Sequence, residues 1–196
     1  METLKDRHQL ELPDQRNFYL VVGESGGKAR RLSLDDIHSE VSRIQLHDGV
    51  PECIRSHFAQ AQNLAVYSWY YYPFNVTSQF MGFVSVEFAL KQKTDKKANF
   101  KNLIQEAVEK GWIVDEGFTI ARHREGTFEK SYVETLIEAM PKLRNDLAHG
   151  SEMLHNNCVA SLLICAEFIN QLFERPNDSK QTNAAGPKTA MRFSGG

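Results

Sequence analysis

Apolar residues recur every three or four positions through most of the chain, which is the spacing of amphipathic α-helices. After Pro51, a residue suited to a first helical turn, this spacing continues to about Pro73 and predicts the first long helix. Residues 76–91 are apolar around nearly the whole helical circumference, which predicts a central, buried helix. Residues 100–110 predict a third helix, and Gly111 terminates it.

The second half of the chain continues this helical pattern. Residues 131–148 predict a fourth helix, which Pro141 could kink or restart because its ring disturbs the preceding turn. Gly150 fits the left-handed cap just past a helix end. Residues 157–174 predict a last helix that packs lengthwise against its neighbours. Residues 115–127, between the third and fourth predicted helices, are expected to form an exposed connection.

The two ends of the chain show a different pattern. Residues 18–34 combine strand-forming residues with a glycine-rich turn and predict a β-hairpin. Residues 35–50 predict a short helix. Residues 176–196 are too polar to bury a core, and we expect them to be disordered. The predicted fold class is therefore mainly α, with a short N-terminal extension that contains a hairpin.

Composition narrows the class of protein. A length of 196 residues supports one domain with tails rather than two domains. Hydrophobic residues make up 41% of the chain and charged residues 24%, which is typical of a soluble globular protein and excludes wholesale disorder. The net charge of −2 does not indicate a nucleic-acid-binding protein. It remains compatible with a ribonuclease, because such a site needs only a local cluster of positive groups.

Cysteine usage and the N-terminus bear on the compartment. Cys158 and Cys165 lie on one predicted helix, about 10 Å apart along its axis, which is too far for a disulfide. We therefore expect all three cysteines, Cys53, Cys158 and Cys165, to be reduced, buried thiols in a cytoplasmic protein. No cysteine or histidine spacing indicates a metal site. The N-terminal residues lack the apolar core of a secretory signal, and no apolar run reaches the roughly 18 residues that cross a bilayer.

The segment LRNDLAHG carries the strongest candidate chemistry. It places Arg144 and His149 five positions apart inside an otherwise apolar helical pattern. A guanidinium can neutralise a phosphate, and an imidazole can transfer a proton near neutral pH. Metal-free RNA cleavage needs both of these groups. Arg31 and His38 have a similar spacing, but no Asn follows that arginine and no apolar and small pair precedes that histidine.

Helical geometry constrains how these two side chains can act. Met140, Leu143 and Leu147 share one face, and Arg144 lies inside or at the edge of that apolar arc. His149 lies about 140° further round an unbroken helix, so the two groups would not converge on one face. Either the helix ends just before His149, or a second copy of the chain completes the site.

A purely structural role for the same residues stays open. A charged side chain in an apolar arc must be paired or must line a cleft. Arg144 could pair with Glu87, which is the only charge in the apolar run of residues 81–90, while His149 caps a helix terminus. Residue types alone do not choose between this role and catalysis.

The segment LRNDLAHG resembles the signature of the HEPN superfamily (higher eukaryotes and prokaryotes nucleotide-binding), with Arg144, Asn145 and His149 at the signature positions. The segments YSWYYYPF, VEFALK and FKNLIQEAVEKGW and the long helix after HGSEMLH are similar to HEPN bundles in the same order. The resemblance covers about residues 51–175, which would be the bundle domain. Residues 1–50 form the N-terminal extension, outside it.

The resemblance implies a four- to five-helix bundle that forms a homodimer, with two copies of the motif facing each other across a cleft. It implies a metal-independent endoribonuclease of a toxin-antitoxin or phage-defence system, with RNA as substrate, no cofactor, and an antitoxin or defence-system protein as a further partner. The rival expectation is a non-catalytic RNA- or protein-binding module, because some members of the superfamily lack cleavage activity.

The expected mechanism is attack of the RNA 2′-hydroxyl on the adjacent phosphate, which leaves a 2′,3′-cyclic phosphate. In it His149 moves protons, Arg144 stabilises the phosphorane charge and Asn145 orients a ring or phosphate. DNA lacks the attacking hydroxyl and should resist cleavage. The candidate supporting residues are Glu87, Asp146 and His155.

Overall fold

Helices dominate the fold, which a computed structural model of the chain describes at residues 3–23, 27–122, 130–150 and 158–173. The helices there are α1 (Leu34–Ser42), α2 (Glu52–Tyr67), α3 (Phe74–Thr94), α4 (Phe100–Glu109), α5 (Thr119–Arg122), α6 (Tyr132–Ala148) and α7 (Cys158–Leu172). Strands β1 (Val21–Gly23) and β2 (Ala29–Arg31) pair antiparallel, with Val22 opposite Arg30. The prediction of a mainly α fold with an N-terminal hairpin is confirmed.

The central position predicted for α3 is also confirmed, because α2, α4, α6 and α7 all pack against it. Gly82 allows the close approach of α7. A Cβ atom at that position would lie 3.0 Å from Leu162 Cδ2 and 3.3 Å from Cys165 Sγ. Contacts this short leave little room in a close-packed interior, so the absence of a side chain sets the α3–α7 distance.

The N-terminal residues pack on this bundle. Ile37 and Val41 of α1, together with Ile44 and Val50, belong to the same hydrophobic core as the long helices. Closer to the N-terminus, Asn17 Nδ2 donates hydrogen bonds to the carbonyl oxygens of Ser68, at 3.2 Å, and Trp69, at 2.9 Å, just past the end of α2. The first fifty residues thus contribute apolar side chains to the core and polar contacts to the α2–α3 turn.

The connection before α6 is more ordered than its sequence predicts. Its described part contains a 3₁₀ turn at Asp115–Gly117 and the short helix α5, and residues 123–129 lie outside the described ranges. Phe118 between them is fully buried, with its ring centroid 5.1 Å from that of Tyr132 and 6.3 Å from that of Phe168. The expectation of an exposed connection is wrong for this part, because one buried aromatic side chain anchors it.

Helix α6 begins and ends with well-formed caps. Ser131 and Glu134 form a reciprocal capping box. The Asp115 carboxylate accepts hydrogen bonds from the backbone N–H groups of Tyr132, at 2.8 Å, and Val133, at 2.9 Å. The helix continues through Pro141 to Ala148. Gly150 then has a φ of +90°, which fits the predicted left-handed cap.

None of the helices in the described ranges is long and apolar enough to cross a membrane. The predicted tail at residues 176–196 lies outside the described residues. Among the cysteines, Cys158 and Cys165 are buried as expected, whereas Cys53 on α2 is exposed. The expectation of buried thiols is therefore wrong for Cys53.

Candidate functional site

Arg144 lies on the inner side of α6 and forms an ion pair with Glu87 of α3. Its Nη2 donates to Glu87 Oε2, and its Nη1 donates to Asn145 Oδ1 at 2.9 Å. The Arg144 side chain is 27% exposed and that of Glu87 12%, so both are largely shielded. Leu147 on the same helix is half-buried, but Leu143 is 45% exposed, so the apolar face of α6 is not covered at Leu143.

The Glu87 carboxylate has a second positive partner. Lys91 Nζ, one helical turn further along α3, donates to Glu87 Oε1 at 2.7 Å. Burial alone would raise the pKa of the Glu87 carboxyl. The hydrogen bonds and positive charges of Lys91 and Arg144 outweigh that effect and hold this pKa below its usual range. Glu87 is thus a fixed anion that holds two cations in place.

An aromatic ring completes the surroundings of the guanidinium. Arg144 Cζ lies 5.9 Å from the centroid of the Phe100 ring, at the start of α4. Arg144 Nε is shielded from solvent and has no hydrogen-bond partner. Because a guanidinium carries five N–H donors and the named contacts use one on each Nη, each Nη keeps one further donor. The side chain is held firmly but is not saturated.

His149 stands at the other side of the helix end. Its backbone is close to helical, with φ −83° and ψ −1°, and its N–H donates to the Asn145 carbonyl oxygen at 2.9 Å. The side chain is exposed, and no hydrogen bond or ion pair joins it to the described part of the chain. Since its backbone stays helical, His149 keeps its angle of about 140° from Arg144, with the Cα atoms about 9 Å apart.

Asn145 connects the two. It lies about 100° round the helix from Arg144 and about 40° from His149, on nearly the same face as the histidine. Its Oδ1 is occupied by Arg144 Nη1, which leaves its amide N–H₂ as a donor on the exposed surface. The three signature residues therefore form an arc around the last turns of α6, not a single convergent pocket.

The other candidate residues lie at different places in the fold. Asp146 is exposed next to Asn145, and within the described ranges no ion pair involves it. His155 lies outside the described residues. Arg31 is an exposed residue of β2, whereas His38 is exposed on α1 with its Nδ1 3.4 Å from Ser42 Oγ. Glu87 is thus the supporting residue that the fold brings to the arc.

Two features expected for a structural role are present in the single chain, namely the Arg144–Glu87 ion pair and the position of His149 at the helix cap. The sequence did not indicate two neighbours of the site. Lys91 could have been found from its spacing of four residues from Glu87, which allows an ion pair on one helix face. Phe100 gave no local signal, because it reaches Arg144 only through the packing of α4 on α6.

Similarity to known proteins adds nothing to this geometry. The chain matches no protein-family model, no curated protein and no solved structure. The candidate site is therefore supported by its own residues alone. Within the described ranges, no group of three His, Cys, Asp or Glu side chains could hold a metal ion.

Proposed function

We propose that this protein is a metal-independent endoribonuclease of the HEPN type, acting through Arg144, Asn145 and His149. The observation that carries the proposal is the arc at the end of α6. There an arginine fixed by Glu87 is linked through Asn145 to the face that carries an exposed histidine. The arc combines a phosphate-binding cation, a neutral donor and a proton-transfer group.

Arg144 is suited to bind the negatively charged phosphorane as it forms. Its orientation is set by Glu87, its face lies near the Phe100 ring, and it keeps unpaired N–H donors. A donor whose position is fixed before the reaction stabilises a developing phosphorane without reorganisation at the moment of attack. Asn145 adds a neutral amide donor beside it. Glu87 is a positioning residue in this mechanism, because it acts through the arginine.

The chemistry favours two copies of the chain at one site. Attack by the 2′-hydroxyl needs a base to remove its proton, and departure of the 5′-oxygen needs an acid to supply one. Among the described residues of one chain, His149 is the one imidazole at the arc, and it lies about 140° round α6 from Arg144. A two-fold homodimer would supply two imidazoles and two guanidinium groups around one phosphate. The product is a 2′,3′-cyclic phosphate, and no cofactor takes part.

The same resemblance suggests the cellular setting. Endoribonucleases of this kind serve in toxin-antitoxin or phage-defence systems, so we propose a cytoplasmic protein that cleaves RNA and is restrained by an antitoxin or another defence-system protein. The net charge of −2 leaves its surface without a strong overall attraction for RNA.

A second candidate function is a non-catalytic RNA- or protein-binding module. The observation that favours it is the ion pair, because Glu87 takes up one arm of the guanidinium that would otherwise face a phosphate. In this alternative Arg144 fixes α6 to α3, and His149 is a helix cap without a chemical role.

The decisive experiment is cleavage of labelled single-stranded RNA by the purified full-length chain in excess EDTA. We expect fragments ending in 2′,3′-cyclic phosphate, identified by mass spectrometry, and no cleavage of the same sequence as DNA. His149→Ala should lower the rate at least about 100-fold, as the loss of a general acid or base does. Arg144→Ala should lower it by about 100- to 1,000-fold.

Matched controls separate loss of chemistry from loss of fold. His38→Ala removes an exposed histidine from α1 and should leave cleavage unchanged. Arg144→Lys keeps a positive charge for Glu87 but lacks the planar fork of donors, so it should fold normally and cleave poorly. Intact RNA with a folded dimer, verified by circular dichroism and sedimentation, would instead support the binding module.

A further inference from the structure

A cavity lies away from the α6 arc, where the end of α3, the segment between α4 and α5, and the C-terminal half of α7 meet. Its volume of about 690 Å³ falls in the range of small-molecule sites. Its lining includes Lys93, Trp112, Gly117, Arg122, Glu167 and Gln171. None of them belongs to the proposed nuclease site.

Glu167 contributes a carboxylate with one unsatisfied oxygen. Its Oε1 accepts hydrogen bonds from the Thr119 N–H, at 3.1 Å, and from the Thr119 hydroxyl. Its Oε2 is shielded from solvent and has no hydrogen-bond partner. A shielded carboxylate oxygen without a partner is costly, so this atom calls for a donor.

Gln171, one helical turn along α7, presents the complementary group. Its Oε1 accepts a hydrogen bond from the Val114 N–H at 2.9 Å, which fixes the orientation of the amide. Its Nε2 is shielded and has no partner. Gly117 makes room for this amide, because a Cβ atom there would lie 2.0 Å from Gln171 Cδ. The lining of the cavity thus holds an unpaired acceptor and an unpaired donor on residues one helical turn apart.

Two cations line the same cavity. Lys93 Nζ lies 5.2 Å from the centroid of the Trp112 ring and 5.7 Å from that of Phe173. Arg122 donates to Thr119 Oγ1 at 3.0 Å. Neither cation forms an ion pair with an acidic residue in the described ranges. Among the described lining residues Glu167 is the one acidic side chain, so these residues carry an excess of positive charge.

Among the described lining residues there is one histidine, His47, and it does not add to that charge. His47 Nδ1 accepts a hydrogen bond from the Gly49 N–H at 3.1 Å, and its Nε2 lies 2.9 Å from the Asn170 carbonyl oxygen. Both contacts are satisfied only when the ring is neutral with its proton on Nε2. Lys110 also lies over Trp112, but its ammonium is paired with Glu106 at 2.6 Å.

We infer that this cavity binds a small hydroxylated phosphate such as a sugar phosphate. Both atoms are shielded, so a shift of the surrounding side chains must accompany binding; hydroxyl groups of a ligand can then donate to Glu167 Oε2 and accept from Gln171 Nε2. A phosphate group carries enough oxygens and charge to serve Lys93 and Arg122 together. The protein therefore has a ligand site whose recognition chemistry is independent of RNA cleavage.

The test is a calorimetric titration of the full-length chain with D-ribose 5-phosphate, accompanied by tryptophan fluorescence. We expect one saturable site with a Kd below about 1 mM. D-Ribose and inorganic phosphate, each offering half of the recognised chemistry, should bind at least tenfold more weakly. Trp112→Phe should abolish the fluorescence change, and Trp69→Phe should retain it, because Trp69 packs against Phe18 at the N-terminal segment.

Isosteric variants test the individual contacts. Gln171→Glu keeps the acceptor for Val114 but replaces the free donor with a negative oxygen, and Arg122→Gln removes an exposed cation. Each should weaken binding at least tenfold, whereas Arg43→Gln on α1 should not change it. The inference is overturned if a folded protein shows no saturable binding up to about 10 mM, or if both variants bind as the parent does.

Discussion

The Arg144–Glu87 ion pair gives the sharpest test of how the α6 arc is held. Arg144→Ala removes one of two cations from a carboxylate that is only 12% exposed and leaves Lys91 as its remaining partner. Glu87→Gln keeps the shape of the side chain and removes its charge. The double variant removes both members of the pair. Together with the parent protein, these three variants form a double-mutant cycle that isolates the interaction between Arg144 and Glu87.

The magnitude follows from the burial of the two groups. Exposed ion pairs contribute about 0 to 1 kcal/mol, and breaking a fully buried pair costs about 3 to 5 kcal/mol. The pair here is largely shielded, but Arg144 keeps 27% exposure and Lys91 remains to compensate Glu87. We therefore expect Arg144→Ala to lower the free energy of unfolding by about 1 to 3 kcal/mol, with a coupling energy of about 1 to 2 kcal/mol.

Urea denaturation at neutral pH and physiological salt measures these values, provided that the slope with urea stays constant among the variants. The Arg43–Glu40 pair on α1 is the matched control. Its side chains are 70% and 57% exposed, and its coupling should be close to zero. A coupling at Arg144–Glu87 no larger than that of the control would refute the reasoning.

The same cycle has a predictable pH dependence. The pKa of the Glu87 carboxyl is lowered in the folded protein, mainly because the hydrogen bonds of Lys91 and Arg144 overcome the effect of burial. A lowered pKa means that the stabilisation is complete above the unfolded value, near 4.5, and is lost as the pH falls through the folded value. The coupling should therefore be full at pH 7 and decline below about pH 4.5. A coupling that grows on acidification would contradict this assignment.

Three further predictions test other parts of the structure. Gly117→Ala should lower the free energy of unfolding by about 1 to 3 kcal/mol in urea, because its Cβ overlaps Gln171, whereas Gly23→Ala has open space and should change it by less than about 0.5 kcal/mol. Iodoacetamide at pH 8 should label the native protein only at Cys53, because Cys158 and Cys165 are buried and burial raises the pKa of the Cys158 thiol to about 11. Labelling is measured by mass spectrometry, and rapid labelling of Cys158 would count against the packing of α7. RNA affinity should fall with salt at a logarithmic slope no steeper than about −2 in filter binding, as few phosphate contacts would give.

The sequence predicted most of the helices because their information is local. Helix α4 has an apolar stripe and clear ends, so it was expected at residues 100–110 and is found at Phe100–Glu109. The glycine cap after α6 follows the same logic, because Gly150 takes up a positive φ that other residues adopt only with strain.

What the sequence did not reveal depends on contacts between distant residues. Asp115 caps α6 from a position seventeen residues before it, so no local motif marks the interaction. Phe118 is buried because α7 and the start of α6 happen to meet over it. Its segment has too few apolar residues to show a period, and a single aromatic residue in a polar connection is a weak signal.

The candidate site shows the same division. The pattern of α6 predicted that Arg144 lies at an apolar face and must be paired or line a cleft. Glu87 was the candidate partner because it is the one charge in its apolar run. The exposure of Leu143 was not predictable, because it depends on which parts of the fold cover α6 and not on the local pattern. Periodicity fixes which residues share a face, but only packing decides where that face ends.

The charges around the arc set a limit on how RNA could be recognised. Among the described residues, the two cations Lys91 and Arg144 are matched by the two anions Glu87 and Asp146, so these four side chains carry no net charge. Long-range attraction would contribute little, and the chain as a whole is slightly negative. Phosphate binding would then depend on short-range donors held in fixed positions, which is what the Glu87 anchor provides. The ion pair that weakens the electrostatic attraction of Arg144 is thus the same contact that fixes its geometry, and a second copy of the arc would add donors without adding repulsion.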